Sequence, residues 1–161
     1  MKKLLFVFLL LFSMGGFLAA DVHFKFYPGL YVGGNSPAED GLSVGADIQL
    51  GIEFGDFDYD FIVFGIHGNV GIDTGMPNHP NFYYGGVLEL YFGEEEIKVG
   101  LFAGIGGNRG TDTGERNLET VFFRLGLPLN FFGKFKISAC VDLYPDIGCR
   151  LGMMMHLGIG G

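Results

Sequence analysis

Two cysteines, Cys140 and Cys149, stand nine residues apart on either side of the segment YPDI. A hairpin closing there would bring them together, and an export compartment permits a disulfide. Alternating side chains turn Cys140 inward and Cys149 outward, so a bridge needs a bulge or a wider turn. Two small reduced thiols are the other reading. No CxxC pair occurs, which removes the usual redox and zinc spacings. Asp56, Asp58 and Asp60 alternate in DFDYD, a start that suits calcium. A calcium loop also needs glycine at its sixth place and glutamate at its twelfth, where this chain has Phe61 and His67. A solvated turn is the better reading. His67 and His156 fall on one face of their segments, with Ser138 and Asp142 on the same face elsewhere. Nucleophilic catalysis needs serine and base within hydrogen-bond reach, and no spacing here imposes it. Histidines satisfied by polar neighbours are expected instead. His79 sits among Pro and Asn and reads as an exposed loop residue. GIGGNRG (104–110) has glycines but no helix after it, so it is no phosphate loop. The sequence therefore marks no catalytic residue, no metal site and no cofactor.

The elements that carry these residues share one period. In LSVGADIQLGIEFG (42–55), apolar residues from Leu42 to Phe54 alternate with Ser43, Gly45, Asp47, Gln49, Gly51 and Glu53. A period of two over thirteen residues is a two-faced strand, since successive side chains point to opposite faces. The pattern recurs at 22–33, 62–72, 82–92, 97–106, 121–131, 135–144 and 150–159, eight strands in all. Each is long enough to cross a bilayer at a tilt, which takes roughly 9–11 residues. A helix is excluded by the period and by the glycines within every segment.

Connections near 55–58, 93–96 and 132–134 are short; those at 34–41, 73–81 and 107–118 are longer and rich in turn formers, while 144–148 is short. Short turns at one end and long loops at the other are the sidedness of membrane barrels, with both termini here on the short-turn, periplasmic side.

Residues 1–20 begin with Lys2 and Lys3, continue through an apolar run and end on Ala19 and Ala20, the build of a secretory signal peptide. The mature domain is then 21–161. Of the chain's 10 basic residues two lie in that leader, leaving 8 against 18 acidic ones, a net charge of −10. Such a balance offers nothing to nucleic acid.

Alternation alone also fits a soluble, lipocalin-like secreted barrel with its apolar face inward. The polar face decides. A wetted face carries dense Lys and Glu, whereas this one is mostly glycine with isolated charges. Lys25, Lys98, Arg124, Lys136 and Arg150 stand there with Asp47, Glu53, Glu89 and Asp142. Near balance fits a buried, mutually paired network, because an unpaired buried charge costs several kcal/mol. The apolar face has no charge in mid-strand, as lipid contact demands. Two aromatic bands flank it. Phe54, Phe57, Tyr59, Tyr91, Phe92, Phe131, Phe132 and Phe135 lie near the short turns; Tyr31, Phe82, Tyr83, Tyr84, Phe122, Phe123 and Tyr144 lie near the loops.

In this pattern the chain resembles the small eight-stranded outer-membrane proteins, such as the OmpA transmembrane domain and OmpX, and more loosely the OmpW group. The resemblance spans nearly the whole mature chain. It implies an all-β, up-and-down transmembrane barrel in the bacterial outer membrane, monomeric, with lipid and the barrel-assembly machinery as partners. The end HLGIGG departs from it, with Ile159 where such barrels end on an aromatic assembly signal. Eight strands leave an interior just filled by side chains, so a structural or surface scaffold is expected, with partners bound at the loops 34–41, 73–81 and 107–118. The alternative by likeness to the OmpW group is a conduit or pocket for a small apolar molecule, lined by Phe61, Phe102 and Met154. A lipid-modifying barrel enzyme ranks last.

Overall fold

A computed structural model describes residues 21–36, 42–56, 58–76, 79–94, 96–110, 119–145 and 148–159. The proposed leader, 1–20, lies outside them. Eight strands follow in order: β1 (Val22–Ser36), β2 (Leu42–Phe54), β3 (Ile62–Met76), β4 (His79–Glu94), β5 (Ile97–Gly110), β6 (Glu119–Phe131), β7 (Phe135–Tyr144) and β8 (Gly148–Leu157). Each pairs antiparallel with its neighbours in sequence, and β8 pairs with β1, so the sheet closes into an up-and-down barrel. Closure leaves no open sheet edge, the condition for a sheet inside a bilayer.

Directly opposed residues run from His23 to Glu53, Gly65, Glu89, Phe102, Gly126, Cys140 and Gly152, then return to β1 at Gly33, ten positions from the start. That stagger corresponds to strands tilted about 41° from the barrel axis. The wall is narrow, and its interior can be filled by side chains alone. The ladder is interrupted beside Pro28 on the β1–β8 seam and beside Pro128 between β5 and β6. Proline has no N–H to donate, so both gaps follow from composition.

Period-two patterning sets what each face carries. Outward positions are apolar and exposed throughout, from Phe24 at 70% and Leu42 at 72% to Leu125, Leu151 and Leu157. An apolar surface of this extent encircling a barrel is stable only against lipid. Inward positions are polar, glycine or aromatic.

The turn joining β6 to β7 shows how tightly the short-turn side is drawn. Phe132 and Gly133 both have positive φ (55° and 63°), and Lys134 N donates to Phe131 O at 3.0 Å. Positive φ at both central residues makes a turn whose twist matches that of paired strands, and Lys134 completes a three-residue connection before Phe135 opposes Phe131.

At the other end the strands run further than the alternation indicates. β1 continues to Ser36, β3 to Met76, β4 begins at His79 and β5 reaches Gly110. Three of the expected loops are thus partly hairpin, and His79 lies on a strand. Backbone pairing persists there without an apolar face, because a ladder needs only N–H and C=O partners. Residues 37–41, 77–78, 111–118 and 146–147 are outside the described ones.

Candidate functional site

Function in a barrel of this size can lie in its interior, on its lipid-facing wall or at its two ends. Inside, Asp47, Glu53, Glu89, Lys98, Arg124, Lys136, Asp142 and Arg150 are all buried, while Lys25 is half-buried nearer the short-turn mouth. His67 and His156 are buried with them.

In the half toward the short turns, Lys136 Nζ donates to Gln49 Oε1 (2.5 Å) and to both oxygens of Glu89 (2.9 and 3.1 Å). His67 stands between two carboxylates, with Nδ1 3.2 Å from Glu89 and Nε2 3.5 Å from Glu53. Tyr27 donates to Glu53 (2.7 Å) and Tyr91 to Glu89 (2.6 Å). Further along, His156 Nε2 lies 3.1 Å from Asp47 Oδ2, and the Tyr83 hydroxyl donates to Asp47 Oδ1 at 3.0 Å. Arg124 clasps Asp142 through Nε (2.6 Å) and Nη2 (2.8 Å). Nearest the long loops, Arg150 donates to Asp73 (2.9 Å) and to Ser43 (2.5 Å).

Each of three bases also lies over an aromatic ring: Lys136 over Tyr27 and Arg150 over Tyr31, both at 4.4 Å, and Arg124 over Tyr83 at 5.1 Å. A ring face offsets part of the lost hydration of a cation without adding charge. Glycines make room for these rings. A Cβ on Gly71 would collide with Tyr83, one on Gly126 with Phe102, one on Gly106 with Phe122 and one on Gly152 with Tyr31.

Several sequence expectations need correction here. Tyr31, Tyr83, Tyr91 and Phe122 do not belong to the outer aromatic bands; they are buried inside. Their parity along the strand decides, since Tyr83 and Tyr91 share a face with Glu89, and Phe122 with Arg124. Phe82, Tyr84, Phe92, Phe123, Tyr59 and Phe132 do stand exposed on the outer side or the rim. Asp73, read as the start of a loop, is a buried strand residue paired with Arg150. Phe61 cannot line an internal conduit, because it is 64% exposed in the β2–β3 connection; Phe102 and Met154 are inside but packed together with Tyr31, Val87 and Cys140.

The cysteines are free thiols, Cys140 buried and Cys149 half-buried. Cys149 faces Leu143 across the β7–β8 ladder, three residues from Cys140. At about 3.3 Å per residue that offset along the strand is already about 10 Å, so the Cα atoms are beyond disulfide reach.

Glu53, His67 and Glu89 bring one ligand atom each within 4.8 Å of one another. The two ring nitrogens address different carboxylates, and the Lys136 ammonium is already on Glu89. A cation there would meet that ammonium, so ion pairing accounts for the cluster. Asp56, Asp58 and Asp60 serve their own turn: Asp58 N donates to Asp56 Oδ1 (2.8 Å) and Asp56 N to Asp60 Oδ2 (2.7 Å). Ser138 is buried opposite Pro128 and Met154, and its hydroxyl has no histidine partner.

Compared as a sequence, the chain matches no family model and no curated protein. Compared as a fold, it superposes on the outer membrane enzyme PagL with a TM-score of 0.58 at 18% identity, covering 83% of this chain and 99% of that one. The fold is that of the small outer-membrane barrels. The designed transmembrane barrel TMB2.3 matches at a TM-score of 0.53 and 14% identity, over 86% of this chain and 95% of its own. Neisserial surface protein A matches at 0.50 and 10%, over 84% and 96%. Identities this low show shared architecture and leave activity to be argued from this chain's own residues.

Proposed function

We propose that this chain is a bacterial outer-membrane protein whose barrel is a sealed scaffold, presenting the connections at its long-loop end to external partners. One observation carries the reading: buried charged side chains, with aromatic rings against them, bridge strands across the lumen at successive levels. Lys136 reaches from β7 to Gln49 on β2 and Glu89 on β4; Arg150 reaches from β8 to Ser43 on β2 and Asp73 on β3. A solute could pass only by breaking buried ion pairs, each several kcal/mol to disrupt.

The conduit reading loses its proposed lining with the exposure of Phe61. A lipid-modifying activity would require a nucleophile and base on the lipid-facing wall. Among the described residues that wall carries no serine–histidine pair.

Purified protein reconstituted in planar bilayers tests the scaffold. We expect no stepwise conductance above the bare membrane. Reproducible single-channel steps that scale with the amount of folded protein and are absent with boiled protein would establish a conduit instead.

A further inference from the structure

A second candidate surface lies outside the barrel, at its short-turn rim. A groove of about 770 Å³ runs between the β2–β3 connection and the β4–β5 tip; Tyr59, Asp60, Phe61, Glu94, Glu96 and Ile97 line it, together with Gly93 and one base, Lys98, whose ammonium is engaged by backbone carbonyls. Its walls are held in place. Gly93 N donates to Phe61 O (3.1 Å), and Lys98 Nζ, from inside the barrel, donates to the carbonyls of Asp60 (2.7 Å) and Gly93 (3.1 Å). Asp60 N in turn donates to Asp56 O at 2.8 Å. The groove is therefore preformed, which lowers the ordering cost of binding.

Its lining sets exposed apolar groups beside carboxylates. Tyr59 is 84% exposed, Phe61 64% and Ile97 49%, beside the exposed carboxylates of Asp60, Glu94 and Glu96. Exposed rings next to acids suit a side chain with an alkyl stem and a cationic head, through ring contact and a charge-assisted bond together. The wider rim has the same sign. Asp21 and Asp58 are exposed there too, against Lys134 as the exposed base among the described residues at this end.

We infer that this groove docks a lysine- or arginine-rich protein segment bearing an apolar side chain, supplied from the compartment the short turns face. A phospholipid headgroup fits less well, because its phosphate would enter a rim whose exposed charges are nearly all negative. The docking rests on the groove alone and not on the sealed lumen, so either reading can fail without the other.

The test uses the isotope-labelled barrel in nanodiscs of zwitterionic lipid, titrated with a short peptide of lysines around one leucine. Amide shifts at Tyr59, Phe61, Gly93 and Ile97 are expected, fading between about 50 mM and about 300 mM salt as a surface charge contact should. Glu94→Gln with Glu96→Gln leaves the turn's own hydrogen bonds intact and is expected to weaken binding about ten-fold; Phe61→Ala should weaken it with the charges unchanged. Equal binding by a glutamate peptide of the same length, shifts confined to other amides, or wild-type affinity in the double variant would overturn the proposal. So would a spin-labelled ethanolamine lipid that broadens these amides and is not displaced by the peptide.

Discussion

The ammonium of Lys136 meets Gln49, both oxygens of Glu89 and the face of Tyr27 at once, entirely out of solvent. Little of that arrangement survives the loss of one partner. Lys136→Met leaves Glu89 with His67 and Tyr91 alone, and we expect unfolding in urea from detergent micelles to lose about 3–5 kcal/mol. Adding Glu89→Leu removes the stranded carboxylate, so the double variant should recover a substantial part of the loss. The same cycle on two independent sites would give simple additivity, which would mean the pair does not interact.

Within a strand, the two faces obey opposite rules, and β3 carries a glycine on each. Gly71 points inward, where a Cβ would strike the ring of Tyr83, itself held by Asp47. Gly68 points outward, where a Cβ would make only ordinary contacts with the Leu50 and Gly85 carbonyl oxygens, at 3.8 and 3.9 Å. Gly71→Ala should cost about 1–3 kcal/mol by overpacking, whereas Gly68→Ala should be neutral or stabilising by up to about 1 kcal/mol. Equilibrium unfolding of the two variants side by side checks the assignment of faces. On β6, Leu125→Arg places a charge against lipid near mid-strand and should cost about 2–4 kcal/mol, read in the same way.

Faces of this kind were legible from one sequence because parity is local. The thirteen residues of β2 announce their inward and outward sets, and the structure keeps them, with Ser43, Asp47, Gln49 and Glu53 buried. Residue type alone misled at Tyr31, Tyr83 and Phe122, where a bulky ring suggested the interface while its parity pointed inside. Partner choice was out of reach. Arg150 meets Asp73 across 77 residues and Ser43 across 107. Such pairings depend on the stagger of the closed sheet, which no single strand encodes.

For the whole molecule, the polar interior is the core and the apolar wall the solvent-facing surface, with lipid as the solvent. Charge pairing and ring stacking then do inside the barrel what apolar packing does in a soluble domain, while closure of the ladder satisfies the backbone. The most direct test is the mobility of the purified chain on a detergent gel, unheated and boiled. Protein refolded into micelles should run as a distinct compact band that shifts to the unfolded position on boiling, with no such band when amphiphile is omitted during refolding. A folded, soluble monomer in detergent-free buffer would contradict the account, since the wall from Phe24 to Leu157 would then have to face water.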